Sequence, residues 1–251
     1  MQLEPGTTPT LLVLGDSLAF YGPAGGLPAN DDRIWPSLLA DELGWTSHLC
    51  ARVGWTSRDA WWALTQDPLV WAAIPRAGAI IIAVAGMDSL PSPLPTAFRE
   101  QIRYVRPSWL RRRVRATYAR VQPVLAPLGW PMALPPAVTV AYLEKIRAAI
   151  AAVRPGIPII AVLPALHHSH YYGYAQPGQP RTSQAITRWA SEKGVPLIDV
   201  PAATIDHLRA GEGNPDGIHW GFAAHRRVAR LMHTAIVSGE SDSPGSARAA
   251  R

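Results

Sequence analysis

Short apolar runs at residues 11–14, 47–53, 79–85 and 157–163 recur along the chain, and a fifth at 195–200 follows. Between them, segments 35–43, 58–64, 140–153, 182–193 and 221–236 carry apolar residues at three- and four-residue spacing, the period of a helix with one buried face. This alternation predicts an α/β fold: a three-layer sandwich with a central parallel sheet of about five strands and helices on both faces. In such sheets ligands sit beyond the carboxyl ends of the strands, so the residues just after each run are the candidates for chemistry. With 48% apolar and 17% charged residues among 251, the chain has the composition of a folded domain rather than a disordered one.

Residues 1–237 read as one α/β domain. The connection from 88 to 139 is about fifty residues long, against ~2–6 for an ordinary loop of such a fold. Nine prolines from Pro91 to Pro136 divide it, and 97–105 and 110–121 can each form a short helix; a helical lid over the site is expected. The tail 238–251, rich in Ser, Gly and Ala, is expected to be disordered. No apolar run approaches the ~20 residues of a membrane span, and no basic residue precedes the first apolar run. Both features predict a cytoplasmic protein without an integral membrane segment. The single Cys50 excludes an internal disulfide and a cysteine-based zinc site.

Directly after the first run stands Gly15-Asp16-Ser17-Leu18, and about two hundred residues later Asp216-Gly217-Ile218-His219. A hydroxyl is a poor nucleophile unless a positioned base takes its proton, and an imidazole needs a carboxylate to fix its tautomer and stabilise its cation. Ser17, His219 and Asp216 supply those groups as candidate catalytic residues. Three residues apart, Asp216 and His219 fit one turn facing the serine.

In order and in relation to the strands these motifs resemble the Gly-Asp-Ser-Leu esterases, or SGNH hydrolases. The resemblance implies an SGNH-hydrolase/flavodoxin-like sheet. It also implies an oxyanion hole built from the Ser17 amide, a glycine amide after the second strand, and an asparagine side chain after the third. Gly54 stands at the glycine position, but Met87, in Ala85-Gly86-Met87-Asp88, replaces the asparagine. One missing donor typically costs ~10²–10³ in rate, and Ser89 or a lid amide is the expected substitute.

The strings Gly15–Pro23, Gly25-Gly26-Leu27-Pro28, Gly86–Pro91 and Asn214–Trp220 are similar to a narrower family, the mycobacterial diglucosylglycerate octanoyltransferases. That resemblance spans about residues 11–233. It implies octanoyl-CoA as donor substrate, a glucosylglycerate-type glycoside as acceptor, no separate cofactor, and a place in methylglucose lipopolysaccharide biosynthesis. Two other readings stand beside it: a water-using esterase or thioesterase, and a silent carbohydrate- or lipid-binding module.

Asp16, Tyr21, Met87, Asp88, Ser89, His167, Arg111 and Arg112 are the expected substrate contacts. Arginines crowd the insertion (Arg99, Arg103, Arg106, Arg111, Arg112, Arg113, Arg115, Arg120) and suit CoA phosphates, a glycerate carboxylate or acidic headgroups, or form a solvated face. No nucleic-acid-binding pattern accompanies them, so no nucleic-acid partner is expected. His167, His168 and His170 suggest a metal, yet no carboxylate lies close in sequence; sugar recognition or loop packing is preferred, and no metal is expected.

Overall fold

The computed structural model describes residues 8–92 and 101–241. β1 (Thr10–Asp16) is followed by a small antiparallel hairpin of β2 (Tyr21–Gly22) and β3 (Gly25–Gly26), and then by β4 (Thr46–Arg52), β5 (Ala77–Ala83), β6 (Ile159–Val162) and β7 (Leu197–Ile198). The five expected runs make one sheet in the order β4-β1-β5-β6-β7, with every neighbouring pair parallel. Strand order reverses at β1, which places the switch-point crevice between the carboxyl ends of β1 and β5, beside Ser17 and Gly86.

Pleating divides the strand side chains between two cores. Leu12, Leu14, Ile80 and Ile82 face one, which is closed by α2 (Ser57–Gln66), α3 (Pro68–Ala73), α5 (Pro136–Val153) and α6 (Gln179–Lys193). Leu11, Val13, Ala79 and Ile81 face the other, closed by α1 (Trp35–Leu43), α7 (Val200–Arg209) and α8 (Phe222–Ser241). The helix starts and stops follow local chemistry. Thr56 and Asp59 form a reciprocal capping box at the start of α2, and Gly44, in the left-handed region at φ 67°, ends α1.

Several boundaries differ from the sequence expectation. α3 and α7 are not legible as helices, because each is a short segment that starts on a proline-containing turn capped by an aspartate, Asp67 or Asp199. α5 begins at Pro136, not at 140, because Pro136 occupies its first turn, where a missing N–H costs nothing. In the insertion the second expected helix is α4 (Ser108–Leu125). Of the first, residues 97–100 lie outside the described residues and Ile102–Tyr104 is a single 3₁₀ turn. α8 runs through Ser241, so the first residues of the expected tail are helical; residues 242–251 lie outside the described residues.

A short antiparallel ladder closes the neck of the insertion. Ser92 N–H donates to Pro131 O (2.8 Å), Ala133 N–H to Leu90 O (3.0 Å) and Leu134 N–H to Asp88 O (3.1 Å). Beyond the neck, Ala126 is buried with Leu90 and Tyr172. The described part of the insertion therefore stands at the carboxyl end of the sheet, against the loop that follows β6. Ile81, central in β5 and fully buried, tests the layering. Ile81→Ala should cost about 2–5 kcal/mol, read as a lowered urea midpoint with unchanged slope, whereas a loss below about 1 kcal/mol would contradict this packing.

Candidate active site

β1 ends at Asp16, and a single 3₁₀ turn, Ser17–Ala19, follows. Asp16 caps it by accepting the Leu18 N–H at 2.9 Å, which fixes the backbone on both sides of the serine. Across the crevice, the segment Asn214–His219 folds back on itself. Asp216 Oδ1 accepts the N–H groups of Ile218 (2.8 Å) and His219 (3.1 Å), and Oδ2 lies 2.6 Å from His219 Nδ1. His219 Nε2 is 2.8 Å from Ser17 Oγ. The three expected residues thus stand in one hydrogen-bonded line.

The proton positions follow from the partners. Burial pushes the Asp216 carboxyl up, but the bonds from His219 and from the Ile218 and His219 amides together outweigh it and hold the group below its usual range. An ionised Asp216 accepts from Nδ1–H, which leaves the Nε2 lone pair for the Ser17 hydroxyl proton. Gly217 makes the turn possible at φ 71°; a Cβ there would come within 2.1 Å of His168 O.

Contacts distant in sequence keep the line in place. Tyr21 stacks on the His219 ring, with centroids 4.3 Å apart. The carbonyl of Tyr21 accepts from His225 Nε2 at 2.9 Å, while His225 Nδ1 accepts the Trp35 N–H at 3.2 Å. Burial lowers the His225 pKa to about 4, so the ring stays neutral and can play both roles. Asn214 Nδ2 donates to Gly22 O and Pro23 O, tying the turn to the β2–β3 hairpin. His207 accepts the Gly221 N–H at Nε2 and meets Glu212 at Nδ1. Sequence reading missed these supports; only the turn chemistry of Asn214-Pro215-Asp216-Gly217 signals one of them.

Several expected substrate contacts have other tasks. Asp88 is fully buried. Its oxygens accept the Ser57 N–H at 2.9 Å and the Ser57 hydroxyl at 2.5 Å, so it clamps the segment following Gly54 to the turn following β5 and has no open face for a ligand. Burial raises its pKa. Ser89 is equally buried and spends its hydroxyl proton on Gly86 O at 2.9 Å, which removes it as the substitute oxyanion donor. Asp16 is 3% exposed and acts through the Ser17 turn. Tyr21 lies against the imidazole. Met87 packs beside Leu90 and Tyr172, so an apolar contact fills the asparagine position. Gly54 sits two residues beyond β4 at φ 75°. Arg111 and Arg112 lie on α4, in the insertion.

The three histidines pair with tyrosines instead of converging: His167 with Tyr172, His168 with Tyr174 and His170 with Tyr171. Among the described residues no group of three His, Cys, Asp or Glu side chains is placed to hold a metal. Nor, among those residues, is any helix long and apolar enough to cross a membrane.

A sequence model of the GDSL-like Lipase/Acylhydrolase family matches residues 13–227. The chain is 59% identical over 232 residues to the diglucosylglycerate octanoyltransferase of Mycolicibacterium hassiacum, covering 92% of this chain and 96% of the relative. It is 58% identical over 237 residues to the protein of that name from Mycobacterium tuberculosis, covering 94% and 96%. In fold it is similar to the psychrotrophic esterase EstA of Pseudoalteromonas (TM-score 0.59, 14% identity, 93% and 99% covered). It is likewise similar to a lipase/acylhydrolase of Enterococcus faecalis (TM-score 0.58, 14% identity, 92% and 97% covered).

Burial of Asp16 raises its pKa from 3.8 to about 7. A carboxyl whose folded pKa is raised favours folding below its unfolded value, and that contribution is lost as pH rises through about 7. Asp16→Asn keeps the acceptor for Leu18 N–H and removes the buried charge. Its melting temperature relative to the parent should therefore climb between pH 4 and pH 8; a pH-independent difference in scanning fluorimetry would refute this account.

Proposed function

The chain belongs to the GDSL-like Lipase/Acylhydrolase family of serine-hydrolase-type enzymes, and from that premise we propose that it is a serine acyltransferase. It moves an octanoyl group from an acyl-CoA thioester to a sugar hydroxyl of a glucosylglycerate-type acceptor, in methylglucose lipopolysaccharide biosynthesis. The identity of 58–59% over more than nine-tenths of the chain with proteins named diglucosylglycerate octanoyltransferase carries this reading. Acyl-CoA as donor places the reaction in the cytoplasm, and the chemistry asks for no further cofactor.

Ser17 Oγ attacks the thioester carbonyl while its proton passes to His219 Nε2, and Asp216 stabilises the imidazolium. The tetrahedral oxyanion faces the amides of Ser17 and Gly54. Collapse breaks the carbon–sulfur bond, and His219 returns the proton to the leaving thiolate, leaving octanoyl-Ser17. The sugar hydroxyl then gives its proton to His219 and attacks the ester carbonyl; collapse breaks the bond to Ser17 Oγ, His219 returns the proton to that oxygen, and the octanoylated sugar is released. The charges and lone pairs needed at each step match the hydrogen bonds between Ser17, His219 and Asp216. That alignment also argues against a silent binding module.

The 88–139 insertion acts as a lid and donor site. One face of α4 presents an apolar strip of Leu110, Val114, Tyr118, Val121 and Leu125, with Arg113 and Thr117 beside it, suited to an acyl chain. Arg111, Arg112 and Arg115 on the same helix suit the phosphates of CoA.

The decisive experiment supplies octanoyl-CoA with and without a glucosylglycerate glycoside. Slow hydrolysis alone and dominant transfer with the glycoside are expected, both abolished in Ser17→Ala. An unchanged yield of free octanoate on adding glycoside would establish the hydrolase reading instead. For the donor site, the pair Arg111→Glu and Arg112→Glu should raise KM for octanoyl-CoA at least tenfold more than for a neutral octanoyl ester; equal effects would return these arginines to a solvated face.

A further inference from the structure

We infer that His167 supplies, through Nε2–H, the oxyanion donor that Met87 leaves out. The inference builds on the acyl-transfer reading. The turn after β5 has no side-chain substitute of its own, since Met87 is packed among apolar groups and the Ser89 hydroxyl donates to Gly86 O. The adjacent strand β6 leads into the loop that carries His167, and Gln176 of that loop both braces it internally and ties it to the turn after β5. Gln176 Nε2 donates to Ser89 Oγ (3.2 Å) and to Ala165 O (2.9 Å), while Gln176 Oε1 accepts the His167 N–H (3.2 Å). The His167 ring lies against Tyr172, 5.1 Å between centroids, and Met87 and Ile218 lean on the cluster that holds Tyr172. From the other side, His168 N–H donates to Gly217 O at 2.7 Å. His167 is thus held between the turn that lacks its asparagine and the turn that carries Asp216 and His219.

The ring is set up as a donor. Its Nδ1 accepts the Ser169 N–H at 3.3 Å, so in the neutral imidazole the proton sits on Nε2. Burial lowers the pKa to about 4, so the ring stays neutral and offers a hydrogen bond without giving up a proton. His167 is 8% exposed, and Nε2 is buried with no hydrogen-bond partner. A buried donor left without a partner is costly and persists where something else, here the reacting oxygen, engages it.

The test is the rate at which a fluorophosphonate phosphonylates Ser17. The Ser17 oxygen bonds to phosphorus, fluoride leaves, the proton passes through His219, and charge builds on the phosphoryl oxygen in the same hole. This readout depends on neither the natural donor nor the acceptor, so a failure of the octanoyl-transfer reading leaves it intact. His167→Asn keeps an acceptor for the Ser169 N–H but falls short of Nε2. It should slow labelling ~10²–10³-fold at a parental melting temperature. Adding Met87→Asn, which restores the side chain that the wider family carries there, should recover at least tenfold. Labelling within threefold of the parent in His167→Asn, or a slowdown that Met87→Asn leaves unrelieved, would overturn the inference.

Discussion

One carboxylate organises the site. Asp216 accepts two backbone N–H groups through Oδ1 and the imidazole through Oδ2, so the bonds that fold its turn also aim His219. The backbone bonds fix where the turn points, and the ring bond fixes which nitrogen faces Ser17. Because Ser17 and His219 are 202 residues apart, the sheet and α8 must deliver two loops to one place within tenths of an ångström. The parallel sheet does so by ending every strand on the same side.

Precision at that end carries a cost in stability. Asp16 and Asp88 are buried carboxyls whose pKa values burial raises, each fixing backbone next to a predicted oxyanion amide. Ala85 lies at φ 91° just past β5, and Tyr174 at φ 58° in the loop after β6, conformations that non-glycine residues adopt at a cost. The opposite end of the sheet shows the contrast: there Leu11, Leu12, Ala79 and Ile80 are simply buried. Strain and buried carboxyls collect where loops must be held, and the apolar layers beneath offset them.

The strands are legible in the sequence because runs such as 79–85 are apolar on both faces, as only a strand covered on both sides requires. The triad is legible because the two motifs are compact and follow local turn chemistry. Its supports are not. The contacts from His225 to Tyr21 and from Gln176 to Ser89 span 204 and 87 residues, and no periodicity marks them. The same limit explains Asp88. As a residue type beside the oxyanion turn it reads as a substrate contact, whereas its partner Ser57, 31 residues away, turns it into a clamp between two loops.

In the proposed mechanism the choice between transfer and hydrolysis falls after acylation of Ser17, where a base in the position of His219 could activate either water or an alcohol. Water stands at ~55 M, and a positioned alcohol can reach an effective molarity of ~10⁵ M or more; orientation alone therefore suffices if the acceptor is bound and the acyl-enzyme is shielded. The triad is common to both outcomes and cannot make the choice. The difference must lie in parts that a generic hydrolase does not need. Here those are the insertion closed at its neck by the Leu90 and Ser92 ladder, and the His167–Tyr174 loop on which α4 packs. The described parts of both stand at the carboxyl end, the side on which the proposed mechanism needs solvent excluded and an acceptor oriented.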